Sequence, residues 1–558
     1  MNNQEQISEK HFSPVIIQNS EWGFVVIVLV IILVITGLPY IYGYLSTPGD
    51  KKFMGMMLDV PDHLQYFSWM RELATANLAA NKLTPEPNKP VFFNLLWWGL
   101  GHLGNLVGWG YPVLYQLLRV LAAGCFFPLA YLFCAWYFED RWQRKIAFLT
   151  VCLTSGLGWI LVVLKYTLAK GELLFPLDVF VAEGNTFLGI LGYPHFIAAL
   201  LYVFAFYLVL RGEQKKNYWY AIAAGLFAQF LGWQHAYDLI IVYAVLGTYG
   251  VLKLIRDRKI PVYLLVSGVV IFGISCWPAI YSVMLTSLDP LWKQVLAQFA
   301  NAGVYTPNLL HLPILLGIAF ILALITAIKD HPFRSGGQPD YPLFITGWFW
   351  VSFALIYLPV DYQIHMLNGW QIPISILAVK GLFEWIIPFF ESKLKTATKL
   401  KRWNAEVVIP VIFLISISLT NIYLWTWRFL DLSRHDYPFY LYKDEVNGLE
   451  WLDNHGSDSD VVIGSLDIGQ YIPVITGKPA FIAHWAQTVN FHGKTDLVQQ
   501  FYSNQSGEEM RKKIIEEFGI RYIFYGPAEK KLGDFNPSEA SYLTQVFTSP
   551  SVEIFQVR

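Results

Sequence analysis

Charge is what this chain has least of. Only 15% of its 558 residues are charged, while 55% are apolar. A soluble domain normally carries about 25% charged residues, so the deficit excludes an ordinary soluble enzyme. The net charge is -1, so no global field argues for nucleic acid. Cysteine is scarce as well. The 4 cysteines, Cys125, Cys134, Cys152 and Cys276, all fall in apolar runs. They read as small packed hydrophobes rather than disulfide partners or metal ligands. No Walker run and no glycine fingerprint between strand and helix is present. Neither a zincin histidine pair nor a nucleophile elbow appears. Nothing visible therefore grips ATP or a nucleotide sugar. Internal repeats and low-complexity segments are absent too. The first apolar run is not followed by a small-residue cleavage site, so it reads as a permanent span rather than a removable signal.

What is present is a series of apolar windows of spanning length, about 20 residues each. They lie near 24–45, 111–138, 146–165, 187–210, 218–233, 239–255, 261–285, 308–328, 341–359, 367–390 and 406–427, which makes about eleven helices. The fifth is short. The 21 Trp and 32 Tyr suit many interfacial belts. One alternating set of loops is basic: Arg141, Arg144 and Lys145; Arg211, Lys215 and Lys216; Lys253, Arg256, Arg258 and Lys259; Lys329 and Arg334; Lys393, Lys395, Lys399, Lys401 and Arg402. The opposite short loops hold little beyond Lys165, Lys170 and Lys293. Positive loops stay in the cytoplasm. The expected organisation is a cytoplasmic segment 1–23, a transmembrane domain 24–428 with a large outer loop at 46–110, and a soluble extracytoplasmic α/β domain 429–558. In that last domain Asp444 to Asn454 and Glu508 to Phe518 read as helices. Val461-Val462-Ile463 and Arg521 to Tyr525 read as strands, and Ser551 to Val557 as a final edge strand.

Polar residues in apolar surroundings gather on the expected outer side. Asp59, Asp62 and His63 open the long first loop. They are either solvated loop acids and caps, or a general base and metal ligands. Asp62, His63 and Tyr66 share a helical face. Arg119 lies inside the second window, where a charge costs about 2.5–3.5 kcal/mol on insertion scales. It needs either a structural partner or an anionic headgroup, whose oxygens a guanidinium matches. Asp178, Glu183 and Asn185 precede Pro194-His195-Phe196. Gln234-His235-Ala236-Tyr237-Asp238 tips a short helical hairpin and must point into protein or interface. Gln363 and His365 lie between the ninth and tenth windows, next to Asn368-Gly369-Trp370-Gln371. The bland alternatives are satisfied core histidines and interfacial anchors.

This layout resembles the GT-C superfamily of integral-membrane glycosyltransferases. The resemblance is carried by Asp62-His63-Leu64-Gln65-Tyr66, which looks like their acidic motif, and by the Pro-rich stretch from Thr84 to Asn94. Glu183 with Pro194-His195-Phe196, and Gly369-Trp370-Gln371-Ile372-Pro373, resemble parts of bacterial relatives. The ninth outer loop departs from the pattern, with Gln363 and His365 where an arginine is expected.

The resemblance implies an α-helical polytopic fold with a small C-terminal α/β domain. It also implies inverting sugar transfer on the outer face of a bacterial plasma membrane. The donor would be polyprenyl-phosphate-linked, and the acceptor a glycan, lipid or protein. Asp62 would be the base, with Asp59 and Glu183 as further catalytic carboxylates. Arg119, His63, Tyr66, His195, His235, Asp238, Gln363 and His365 would bind substrate. A divalent metal is a candidate cofactor, with Asp59, Asp62, His63 and Glu183 as its ligands. Two other readings stay open at this point: a transporter or flippase of lipid-linked glycans, and a non-catalytic scaffold with GT-C architecture.

Overall fold

The computed structural model describes residues 16–299, 305–333, 338–394, 404–504 and 506–558. Residues 1–15 of the expected cytoplasmic segment, with Arg334, Lys395, Lys399, Lys401 and Arg402 of the basic loops, lie outside the described residues. The chain divides into two compact units. One comprises Met1–Leu38, Leu117–Ala279 and Val304–Trp427, and the other Pro39–Gln116, Ile280–Gly303 and Arg428–Arg558.

The protein is a multi-pass membrane protein. Among the described residues, six helices are long and apolar enough to cross a bilayer: Asn19–Leu45, Tyr111–Tyr137, Pro194–Lys215, Asp238–Asp257, Leu312–Lys329 and Gln371–Ser392. Among the described residues, three bent pairs pass the same test together, each a broken span or a re-entrant loop: Arg141–Leu153 with Gly158–Thr167, Val262–Ser275 with Trp277–Leu288, and Ala405–Ile417 with Leu419–Leu432. The fifth and ninth windows fold as the shorter helices Trp219–Gly232 and Asp340–Leu355, of 14 and 16 residues. At 1.5 Å per residue these are about 21 and 24 Å long, less than the roughly 30 Å hydrocarbon core. Each window thus has a helical counterpart among the described residues, and nine of them are long and apolar enough to span if each bent pair is counted as one. One group of charges in the first unit is paired. Lys253 bridges Glu213 and Asp340 at 2.7 and 3.0 Å, and Arg256 reaches Asp340 at 2.6 Å.

In the second unit residues 46–110 and the C-terminal segment fold together. Strand β1 (Lys51–Phe53) pairs antiparallel with β2 (Tyr440–Tyr442), Lys52 opposite Leu441. Residues 81–84 are then stitched to 480–489. Lys82 O accepts from Ala480 N at 2.9 Å, Leu83 O from Thr488 Oγ1 at 2.6 Å, and Thr84 Oγ1 from Val489 N at 3.1 Å. A mixed sheet follows from β3 (Val461–Ile463), β4 (Ile520–Tyr525), β5 (Leu543–Thr548) and β6 (Glu553–Val557), in the order β3-β4-β6-β5. β3 and β4 are parallel, and the other neighbours antiparallel. Its core is Ile463, Phe481, Phe501, Tyr502, Ile523 and Phe555. The expected helices are there, as Lys443–Asp453 and Glu508–Phe518. The expected edge strand is corrected: β6 is internal and β5 forms the edge. Fully buried Ile554 and nearly buried Phe555 fit that inner place, whereas β5 exposes Thr544, Gln545 and Thr548, as an edge strand tolerates.

Glu445 gives this unit a pH signature. It is buried, accepts from Tyr442 N at 2.8 Å and from the Tyr437 hydroxyl, and burial pushes its carboxyl up to about 7. The folded state therefore holds a proton there that the unfolded chain, with an acid near 4.5, releases. That contribution is full in acid and is lost as pH rises through 7. Thermal unfolding at about pH 5 and about pH 8 is expected to show a downward stability slope that Glu445→Gln flattens.

Candidate functional site

The helix Val60–Leu73 begins with a sharp turn. Its N-cap, Asp59, is left-handed at φ 39°, ψ 54°, with Pro61 in the first turn. Aspartate tolerates that conformation and proline suits that position. His63 closes the turn by bonding Leu58 O through Nδ1 at 2.7 Å, and its ring packs edge-on to Tyr115. His63 is 2% exposed. Tyr66, one turn beyond Asp62, stacks on Trp97 with ring centroids 4.7 Å apart.

Asp62 therefore stands at the start of a braced helix with its side chain 31% exposed. His484 Nε2 lies 2.7 Å from Asp62 Oδ1. On the other side of that ring, Ala486 N and Gln487 N donate to Nδ1 at 3.0 and 3.2 Å. A nitrogen that accepts two amide protons cannot itself carry one. The geometry thus assigns His484 the neutral form with its proton on Nε2, donated to Asp62. The carboxylate is oriented by this bond and retains lone pairs with which to take a proton. Sequence reasoning misses His484 as a site residue, because a histidine in a soluble segment carries no anomaly. Its partner is 422 residues away in sequence.

In the other unit, four polar segments meet. Glu183 Oε1 bonds His365 Nδ1. The carboxylate fixes the ring and places a proton on that nitrogen. The His365 ring stacks on Tyr237 at 4.8 Å, and Phe196 packs against His195, His235 and His365 with ring centroids 4.3, 5.6 and 6.1 Å apart. His195 and His235 are themselves 5.8 Å apart. Asp238 Oδ2 lies 3.4 Å from His235 Nδ1, and Asn368 Nδ2 donates to Asp238 Oδ1 at 3.2 Å. Gln234 donates to His195 O at 2.9 Å. The short hairpin tip thus turns inward. Glu183, His195, Asp238 and His365 are all buried. Asn368 and Tyr237 belong to this cluster. The sequence offers a signal for both, since they sit inside the polar motifs that flank the apolar windows.

A glycine holds one side of it. Gly369 has φ +87°, and a Cβ there would lie 1.8 Å from Tyr202 Oη, which donates to Asn368 O at 2.7 Å. Gly369→Ala combines left-handed strain with overpacking. It is expected to cost about 2–4 kcal/mol, read as a lowered unfolding midpoint of the purified chain. An unchanged midpoint would mean that the Tyr202 contact yields freely.

Arg119 is 8% exposed and donates to Thr36 Oγ1 at 2.8 Å and Leu33 O at 3.2 Å, so the first span meets part of its desolvation cost. Asp178 braces the backbone at Gly158 and does not join Glu183. Gln363 opens a one-turn helix, Gln363–Leu367, that delivers His365. Asp59 and Asp62 belong to one compact unit, and Glu183 to the other. Among the described residues, no three His, Cys, Asp or Glu side chains form a group that could hold a metal.

No family model matches the chain, and no curated protein matches it in sequence. Solved structures do match in fold. The oligosaccharyltransferase AglB from Archaeoglobus fulgidus, in complex with an inhibitory peptide and a dolichol-phosphate, superposes with a TM-score of 0.50 at 13% identity, over 89% of this chain and 69% of that one. Arabinofuranosyltransferase AftD from Mycobacteria gives 0.56 at 13% identity, over 98% of this chain and 40% of that one.

Proposed function

We propose that this chain, which has the fold of the GT-C membrane glycosyltransferases, transfers a sugar from a polyprenyl-phosphate donor to an acceptor hydroxyl on the outer face of the membrane. The observation that carries the reading is the Asp62–His484 pair. Asp62 takes the acceptor proton as that oxygen attacks the anomeric carbon. The sugar–phosphate bond breaks, and the electron pair leaves on the lipid phosphate. A base so positioned contributes about 10²–10⁴-fold. His484 keeps the carboxylate aimed.

The departing phosphate gathers charge, which preorganised donors stabilise. The first unit holds its own set of such donors, the imidazoles of His195, His235 and His365 with the Asn368 amide, and Glu183 positions His365. Asp59 caps the helix that carries the base, and Tyr66 and His63 brace it. In the first unit Gln363 opens the one-turn helix that carries His365, Asp238 is held by Asn368, and Arg119 is held by Thr36 and Leu33. A dolichol-phosphate in the archaeal neighbour supports a lipid-phosphate donor here. The basic loops support an outward-facing second unit, and the chain's resemblance to bacterial members supports a bacterial inner membrane. A divalent ion stays a proposal, with Asp59 and Asp62 of the second unit as the carboxylates that would hold it.

The test is transfer of labelled sugar from a panel of polyprenyl-phosphate hexoses and pentoses by membranes containing the full chain. Release of label from at least one donor is expected. Intact donors throughout would overturn the reading.

A further inference from the structure

Two spans are interrupted beside each other in the first unit. One stops at Leu153 and restarts at Gly158 with a 44° bend. The other, Leu312–Lys329, has a non-helical residue, Gly317, at φ 73°, ψ -165°. The breaks touch: Leu157 N donates to Ile314 O at 2.7 Å, and a Cβ on Gly317 would lie 2.2 Å from Ser155 O. Broken helices free carbonyl oxygens from the i to i-4 ladder.

Asp178 enters this junction, 2% exposed. Its Oδ2 accepts from Gly158 N and from Thr420 Oγ1, both at 2.9 Å. Its Oδ1 has no hydrogen-bond partner among the described residues, and neither do Gln371 Oε1 and Thr154 Oγ1. Gln371 is 1% and Thr154 4% exposed. All three side chains line one enclosed cavity, together with Ser155, Gly156 and Asn185, and it has room for a single water-sized species. No lysine or arginine lines it.

We propose that this cavity is a binding site for one monovalent cation of sodium's size. The unpaired atoms are all oxygens, the ligands that hard cations take. Unwound carbonyls at broken membrane helices are a recurring setting for sodium. One carboxylate balances one positive charge, whereas a divalent ion would leave a net charge buried at high cost. The ion's role is structural: it ties Asp178 to the two interruptions and to Gln371, two residues beyond Gly369. This stands independently of the glycosyltransferase reading.

The experiment is thermal unfolding of the full chain in nanodiscs, titrated with sodium chloride against choline chloride at constant ionic strength. A saturable sodium-dependent rise of about 2–5 °C is expected, and Asp178→Asn should abolish it. Identical curves in sodium and choline would overturn the site and leave a water in the cavity. So would a sodium response that survives in Asp178→Asn. Should that variant fail to fold, equilibrium binding of ²²Na⁺ to the wild type and Thr154→Val decides. One ion per chain, weakened in the variant, supports the site, and no bound ion refutes it.

Discussion

Asp62→Asn is expected to lower the turnover number by about 10²–10⁴-fold while leaving KM within a few-fold of wild type. The substitution is nearly isosteric. An asparagine carbonyl still accepts the His484 Nε2–H that now reaches Asp62 Oδ1 at 2.7 Å, so the helix start and the orienting bond survive. What disappears is the basicity. Loss confined to turnover identifies a group that works in the transition state, whereas a rise in KM at constant turnover identifies a binding residue. The comparison is made with the labelled-donor assay under saturating donor. Wild-type turnover in Asp62→Asn would remove Asp62 as the base and leave its contact with His484 as a structural tie.

The second large effect concerns stability. Lys494 is 1% exposed, and its ammonium is held by Glu86, Val489 O at 2.7 Å and Thr84 Oγ1 at 3.5 Å. Burial pulls its pKa below the usual lysine range, against the opposing pull of Glu86. This pair joins the long first loop to the C-terminal segment inside one compact unit. Glu86→Ala strands a buried cation and is expected to cost about 3–5 kcal/mol, measured by denaturant or thermal unfolding of the full chain. Replacing both partners by apolar groups is far cheaper than breaking the pair. Lys494→Met added to Glu86→Ala is therefore expected to recover most of the loss. A single variant as stable as wild type would show that water reaches the ammonium through the 31% exposed Glu86 side.

The membrane helices are legible because an uncharged apolar run of about 20 residues matches the thickness of a bilayer and little else. Their interruptions are not. Thr154-Ser155-Gly156-Leu157 and Gly317 lie inside or beside apolar runs, and a lone glycine there reads as tolerated helix. Polar residues in such runs announce themselves, which is why sequence alone points to His195, Asp238 and His365. Arg119 announces itself equally, yet spacing cannot reveal the Thr36 hydroxyl or Leu33 carbonyl that it meets. His484 gives no warning, since long-range pairing leaves no local pattern. The expected place of β6 fails for a related reason. Its own alternation is visible, but the neighbour that makes it internal, β5, spaces its apolar residues Leu543, Val546 and Phe547 unevenly across a register shift, which breaks the period-2 pattern of a strand.

The mechanism commits to direct displacement, with the acceptor oxygen attacking as the lipid phosphate leaves. The anomeric configuration of the product, determined by NMR from a donor of known configuration, tests that most directly. Inversion is the expected outcome. Retention would require a covalent sugar–enzyme intermediate, and Asp62 as a proton acceptor would then be the wrong account.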